Sequence, residues 1–117
     1  MRLTHDREFA RVFRQGISRA AGPLVVYGLP NELAYPRLGL SVSRRVGNAV
    51  ARNRIKRRLR ECFRLSQYDH IAHQLSLDIV IVVKPHEAKE ATQEQYCAAL
   101  RHAIDRIHIA WLGASDG

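Results

Sequence analysis

Cysteine is scarce in this sequence, and long apolar segments are absent from it. The only two cysteines, Cys62 and Cys97, stand in separate apolar helical patterns, and neither has a partner nearby in the sequence. This spacing does not suit a disulfide-rich secreted domain or a zinc knuckle, and it favours a reducing compartment. No segment approaches the ~18 consecutive apolar residues of a membrane span, and the N-terminus leads into a charged segment instead of an apolar signal core. We therefore expect a cytoplasmic protein with no membrane-spanning segment.

Acidic residues are almost missing from one part of the chain. The 117 residues have a formal net charge of +8. The segment from Arg37 to Arg64 contains ten lysines and arginines but a single acid, Glu61, whereas the remainder has nine basic and ten acidic residues. The positive excess therefore lies in one segment. It predicts a polyanion as the partner, and neither a membrane nor a small-molecule substrate.

Hydrophobic periodicity predicts one α+β domain that spans residues 1–117. An amphipathic helix is expected over residues 6–14, ending before Gly16. Two β-branched runs, 24–29 and 37–43, predict strands that we expect to pair with each other as a hairpin.

Three further elements follow along the chain. A long helix is expected from Asn48, a good N-cap residue, to about Leu65. Residues 76–83 indicate a strand that is apolar on both faces, as in the interior of a sheet. A closing helix begins near Thr92, because Thr92 and Gln95 have the spacing of a capping box. No repeat or linker divides the chain into two domains.

The helix that follows Asn48 has two contrasting faces. Its apolar residues recur every three or four positions within about 80° of arc, which predicts a packed face. These residues are Ala51, Ile55, Leu59 and Cys62. The opposite side carries Lys56, Arg57, Arg60 and Arg64. Like charges four residues apart repel each other, and no acid separates Lys56, Arg60 and Arg64 at that spacing. This face therefore favours a polyanion over the alternative of an ordinary solvated helix surface.

The turn in front of this helix suits a phosphate group. Arg44 and Arg45 precede a helix N-terminus, where unpaired backbone N–H groups and the helix dipole attract anions. Arg52, Asn53 and Arg54 continue the cationic surface. Arginine side chains match phosphate oxygens, and the amide of Asn53 can pair with a base edge, a ribose or a neighbouring side chain.

These residues form part of a longer pattern. The segment 39–61, GLSVSRRVGNAVARNRIKRRLRE, resembles the signature of the bacterial ribonuclease P protein family, including its Arg-Asn-Arg core. The likeness extends to Phe9 and Phe13, to Tyr27, and to Lys84-Pro85 at the end of the late strand. It implies an α/β sandwich similar to a ribosomal-protein domain, with a mostly antiparallel sheet and the element order α-β-β-(β)-α-β-α. It also implies a left-handed β-α-β crossover, which general handedness rules would not predict.

The same resemblance implies a function. The chain would be the protein subunit of ribonuclease P, an endoribonuclease that removes the 5′ leader from precursor tRNA and whose catalytic centre lies in its RNA. That RNA would use Mg²⁺, and the protein would supply no catalytic residue and bind no metal or cofactor of its own. The residues that match the family's contacts to the catalytic RNA are Arg44, Arg45, Asn48, Arg52, Asn53, Arg54, Lys56, Arg57 and Arg60. Those that match its leader-binding cleft are Phe9, Phe13 and Tyr27.

Other functions stay open at this point. A ribosomal-type structural RNA-binding protein would have a similar charge and fold. A metal-dependent nuclease would need a carboxylate cluster, and the sequence shows none. The pair His70 and His73 has no third ligand at a recognisable spacing. Phe9 and Phe13 also suit simple core packing, since residues four positions apart share one helix face. The closing helix, with Trp111, has no assigned role.

Overall fold

The computed structural model describes residues 2–3, 5–68, 75–88 and 90–115. Its elements are helix α1 (Asp6–Gln15), strands β1 (Ile17–Ala21), β2 (Leu24–Pro30) and β3 (Arg37–Ser41), helix α2 (Ala49–Tyr68), strand β4 (Leu77–Val83), the short helix α3 (Pro85–Ala88) and helix α4 (Gln93–Ser115). A single 3₁₀ turn, Arg44–Val46, lies between β3 and α2. The α+β prediction is confirmed. Within these residues, no helix combines the length and the apolar character that crossing a bilayer requires.

The strands of the described residues form one four-stranded sheet in the order β1-β2-β4-β3. β2 is antiparallel to both of its neighbours, whereas β3 is parallel to β4. β4 is apolar on both faces and lies in the interior of the sheet, as its sequence predicts. The sheet is therefore mostly antiparallel, in agreement with the family resemblance.

The prediction that residues 24–29 and 37–43 pair as a hairpin is wrong, because β4 lies between β2 and β3. The hairpin partner of β2 is β1, a strand that its own sequence does not signal. The β1 residues, ISRAA, contain a single β-branched side chain, and they become extended by pairing with β2 across a tight turn. Gly22 in that turn has a φ of 51°, a conformation that favours glycine.

Helix α2 connects two neighbouring parallel strands, β3 and β4. Parallel neighbours cannot be joined by a tight turn, so the chain needs a long crossover connection. The β-α-β unit that the resemblance implies is therefore present. The handedness of its crossover stays a prediction.

Alternating side chains of the strands divide the interior into two cores. On one face of the sheet, Ile81 belongs to the main core together with Leu59 of α2 and Ile104 of α4. On the other face, Val12 of α1 and Val80 of β4 are completely buried in a second, smaller core. The protein is thus a layered α/β sandwich, with α2 and α4 on one face of the sheet and α1 on the other.

Both predicted helix starts are confirmed by their capping hydrogen bonds. The backbone N–H of Ala51 donates to Oδ1 of Asn48 over 2.9 Å at the start of α2. At the start of α4, the N–H of Gln95 donates to Oγ1 of Thr92, and the N–H of Thr92 donates to Oε1 of Gln95. These short-range bonds satisfy backbone donors that the helices leave unpaired.

The prediction of a reducing compartment relied on two cysteines with no partner nearby in the sequence, but Cys62 and Cys97 form a disulfide between α2 and α4. They are 35 residues apart in the sequence, but their Cα atoms are only 4.9 Å apart. The packing of α2 against α4 brings them together, and sequence spacing alone does not reveal that packing. The cysteines therefore give no support to a reducing compartment.

Candidate nucleic-acid interface

The outer side of α2 carries positive charge that is not neutralised within the described part of the chain. The side chains of Arg54, Arg57, Arg58 and Arg60 are exposed, and that of Lys56 is half-buried. None of these five residues forms an ion pair with another described residue. We refer to these five residues as the α2 cationic face. Cations gathered on one helix raise the local positive potential, which attracts a polyanion.

Two arginines of the basic segment are already paired within the fold. Arg64 donates to both carboxylate oxygens of Glu61, over 2.6 and 3.1 Å, so it does not share the unrelieved repulsion expected for the row Lys56, Arg60 and Arg64. The hydrogen bond from Arg64 holds the pKa of Glu61 below its ordinary value. Arg37 donates twice to Asp78, over 2.8 and 2.6 Å, and once to Glu8, over 2.8 Å. The hydrogen bond to Asp78 raises the pKa of Arg37 above its ordinary value.

The turn before α2 brings further cations to the helix N-terminus. Arg44 and Arg45 are exposed on the 3₁₀ turn. Arg52 is half-buried in the first turn of α2, and its Nε has no hydrogen-bond partner among the described residues. A buried donor without an acceptor is costly, and a phosphate oxygen would satisfy it. Asn48 differs, because its Oδ1 is already occupied by the Ala51 N–H.

The three aromatic residues assigned to the cleft lie on the α1 side of the sheet, in two places. Phe13 and Tyr27 contact each other edge to face, with ring centroids 4.8 Å apart. Phe13 is 41% exposed, so its ring is accessible to a ligand. Phe9 is half-buried over Gly39 of β3, where an added Cβ would lie 2.7 Å from the Phe9 ring. Phe9 therefore packs against the smaller core, whereas the ring of Phe13 is open to a ligand. The leader-binding role of all three residues stays a prediction.

Beside α1, on the side that carries the two phenylalanines, part of the sheet is only half-covered, and we call this strip the groove. Its floor is a row of half-buried residues that are paired in register across the sheet, namely Val25 of β2, Val82 of β4 and Ser41 of β3. α1 packs on the neighbouring row, where Val80 is completely buried, and leaves this row partly open. Because β3 continues into the 3₁₀ turn, the groove leads from the aromatic residues toward the N-terminus of α2.

A cavity of about 400 Å³ at the β3 edge connects this region with α2. Phe9 and Gly39 line one side, and Lys56, Arg60 and Phe63 of α2 line the other. Aromatic rings beside cations are the combination that holds single-stranded nucleic acid, through stacking and phosphate contacts. Phe63 is absent from the predicted site residues. Its position three residues after Arg60, on the same side of the helix, is the signal that would identify it.

Metal ligands do not gather in the part of the protein that the structure describes. No group of three or more His, Cys, Asp or Glu side chains among those residues is placed to hold a metal ion. His70 and His73 lie outside the described residues.

Comparison with known proteins identifies the family of this chain. The family model for ribonuclease P matches residues 1–108. The chain belongs to the ribonuclease P protein family. Curated relatives in this family are ribonuclease P protein components, subunits of the ribonucleoprotein that takes part in tRNA processing.

Relatives and solved structures of ribonuclease P proteins match the chain over nearly its whole length. The component from Alkaliphilus metalliredigens is 35% identical over 92% of this chain and 94% of that one. A component from Staphylococcus aureus is 38% identical over 88% of this chain and 86% of the relative. The solved S. aureus RNase P protein superposes with a TM-score of 0.75 and 38% identity, covering 89% of this chain and 92% of that one. The Thermotoga maritima protein has a TM-score of 0.75 and 28% identity, over 92% and 96% of the two chains.

Most of the residues that the resemblance assigns to the catalytic RNA lie on the 3₁₀ turn and α2, and Asn53 is exposed on α2. Their role in RNA binding stays a prediction. Arg58 belongs to the same surface, although the family pattern does not single it out. Trp111 has a structural contact, because its indole N–H donates to the carbonyl oxygen of Gly28 over 2.9 Å and ties α4 to β2.

Proposed function

We propose that the α2 cationic face and the 3₁₀ turn bind the catalytic RNA of ribonuclease P. The observation that carries this proposal is the set of arginines without acidic partners among the described residues. Nε of Arg52, which has no hydrogen-bond partner in the described part of the chain, adds a donor that a phosphate oxygen can accept from. A helix surface of this kind costs stability through self-repulsion until an anion neutralises it.

The proposal assigns the groove beside α1 to the single-stranded 5′ leader of precursor tRNA. Phe13 and Tyr27 offer an accessible ring at one end, and the cavity with Lys56 and Arg60 offers cations beside Phe9. Stacking contributes about 1–3 kcal/mol per base and tolerates any base. Leaders of varied sequence require this kind of contact.

In this proposal the RNA carries the catalytic centre and the bound Mg²⁺, which supports attack of water on one phosphodiester bond. The residues of this chain raise the affinity for precursor tRNA and screen the repulsion between the two RNA molecules. The protein works in the cytoplasm, together with its RNA partners.

The test of this function is cleavage of 5′-labelled precursor tRNA at low Mg²⁺ concentration. Three reactions are compared, namely ribonuclease P RNA alone, the same RNA with this protein, and the protein alone. We expect leader removal only in the combined reaction. Full turnover by the RNA without the protein would favour a ribosomal-type structural role, and cleavage by the protein alone would favour a nuclease that acts without RNA.

Replacing both Arg52 and Arg57 by alanine is expected to weaken binding to ribonuclease P RNA and to flatten its salt dependence. The slope of log K against log salt concentration should fall by about 0.7–0.9 for each phosphate contact that is lost. Filter binding over a series of salt concentrations measures the slope. The control is Arg101→Ala/Arg106→Ala, which removes two exposed arginines from α4. An unchanged slope in the first variant, or an equal change in the control, would remove α2 from the interface.

Replacing Phe13 by leucine is expected to reduce affinity for leader-bearing precursor tRNA more than affinity for mature tRNA. The loss of one stacked base corresponds to about 1–3 kcal/mol, or about 5- to 150-fold in Kd. Binding of the two tRNAs to the reconstituted holoenzyme measures the difference. Tyr35→Leu is a matched control, because Tyr35 is 42% exposed and Phe13 is 41% exposed. Equal losses for both tRNAs would assign Phe13 to packing alone.

A further inference from the structure

A second cationic surface lies on α1, outside the segment that holds the excess charge of the sequence. Arg7, Arg11 and Arg14 are all exposed. At about 100° per residue they fall within about 60° of arc, so they form one stripe along the helix. None of the three forms an ion pair with another described residue. We call these three residues the α1 arginine stripe.

The two acids that line a cavity with the stripe already accept hydrogen bonds from other residues. The stripe lines a cavity of about 360 Å³ together with Arg37, Glu8 and Asp78. Asp78 accepts two hydrogen bonds from Arg37, and Glu8 accepts one from Arg37 and one from the backbone N–H of His5. The cavity therefore has four arginines and two carboxylates, and both carboxylates are engaged. Like charges at this spacing repel each other unless an external anion lies between them.

The stripe is separate from both RNA-binding surfaces of the proposed function. Val12 points from α1 into the smaller core. Around the helix, Phe9 and Phe13 lie on one side of Val12, and the three arginines lie on the other side and on the outer surface. The stripe is therefore across α1 from the groove. It also lies on the opposite face of the sheet from α2, so an RNA segment on the α2 cationic face reaches it only by passing round the sheet.

A flexible single strand that leaves the groove is the polyanion best placed to reach the stripe. Arg7 and Arg14 are separated by about 10 Å along the helix axis, at ~1.5 Å per residue. That length corresponds to about three nucleotide steps of a stacked strand, which rises ~3.4 Å per nucleotide along its axis. Arginine side chains bind phosphates without regard to base, as a leader of variable sequence requires.

We propose that the α1 arginine stripe binds the phosphates of the 5′ leader upstream of the nucleotides held in the groove. The proposal rests on the proposed function, because it extends the leader path beyond the groove. It predicts that longer leaders gain affinity through α1, and that this gain depends on salt concentration.

The experiment compares the reconstituted holoenzyme and its Arg7→Gln/Arg11→Gln variant with two precursor tRNAs. Their leaders have about 4 and about 14 nucleotides, and both lengths fall within the ~4–16 nucleotides that single-strand binding folds occupy. The wild-type holoenzyme should bind the long-leader precursor more tightly. In the variant this gain should disappear, and the salt slope for the long leader should fall by about 0.7 per lost contact. Affinity for the short-leader precursor and for the catalytic RNA should stay unchanged.

The matched control removes two exposed arginines from α4, as Arg101→Gln/Arg106→Gln, and should keep the gain from the long leader. The proposal is overturned if the wild type gains nothing from the longer leader, if the stripe variant loses affinity equally for both leaders, or if it loses affinity for the catalytic RNA instead. In each of these cases the wild-type holoenzyme would still cleave precursor tRNA. Failure of the proposed function would appear separately, as absence of cleavage with every precursor.

Discussion

Replacing Arg37 by methionine is expected to lower the free energy of unfolding by about 3–5 kcal/mol, the range for breaking a buried ion pair from one side. Asp78 is 2% exposed, and in this variant its carboxylate would keep only Asn31 as a side-chain hydrogen-bond donor among the described residues. A buried carboxylate without a cation destabilises the folded state. Chemical denaturation at neutral pH measures the difference.

The double variant Arg37→Met/Asp78→Leu tests this explanation. It removes both charges and places apolar groups in the same space, and replacements of this kind are often close to neutral. We therefore expect it to recover most of the stability that Arg37→Met loses. If Arg37→Met lowers the free energy of unfolding by less than about 1 kcal/mol, the pair contributes no more than an ordinary surface salt bridge.

The same ion pairs connect stability with the proposed site. Arg37 lies on β3 and holds both Asp78 on β4 and Glu8 on α1. It therefore fixes α1 on the sheet, and α1 carries Phe13 on one side and the α1 arginine stripe on the other. A shift of α1 would change the groove and the stripe together, so Arg37 is a positioning residue for both.

Local signals in the sequence were enough to predict most of the elements. The start of α2 at Asn48 and the capping box of Thr92 and Gln95 depend on contacts within one helical turn. The apolar run of β4 is likewise a property of consecutive residues. Such features do not depend on which distant segment the element packs against.

The sheet order could not be predicted in the same way, because it depends on pairing between distant segments. The paired residues of β3 and β4 are 41 positions apart in the sequence, since Leu38 pairs with Ile79 and Leu40 with Ile81. Nothing in the residues between β2 and β3 signals that a third strand lies between them. β1 had even less local signal, because its extended form comes from pairing with β2.

The candidate site likewise has some features that the sequence predicts and others that only the fold reveals. The charge of α2 was evident from its sequence, but the pairing of Arg37 with Asp78 required the fold. The α1 arginine stripe was hidden because acids elsewhere balance its charge in a simple count of residues. Phe9 and Phe13 share a helical spacing, and the fold is needed to show that Phe9 packs over Gly39 while Phe13 is 41% exposed.

Removing the Cys62–Cys97 disulfide is expected to lower the free energy of unfolding by about 3–4 kcal/mol under oxidising conditions. The bond spans a sequence separation of 35, so its loss increases the entropy of the unfolded chain. The variant is Cys62→Ala/Cys97→Ala, compared with the wild type by chemical denaturation without reductant. Because Cys62 is 2% exposed, the variant also loses some core packing.

Reduced wild-type protein separates the effect of the bond from the effect of packing. With a thiol reductant present, the stability of the wild type should fall close to that of the variant, within the ~1 kcal/mol expected for the small change in packing. If the wild type keeps two alkylatable thiols under oxidising conditions, or if reductant leaves its stability unchanged, the prediction is wrong. Binding of ribonuclease P RNA should be insensitive to the reductant well below the unfolding temperature, because Cys62 is buried and Lys56, Arg57 and Arg60 lie at least ~120° away from it around α2. Cytoplasmic thiols are normally kept reduced, so the stability of the reduced protein is the value that matters for the proposed function.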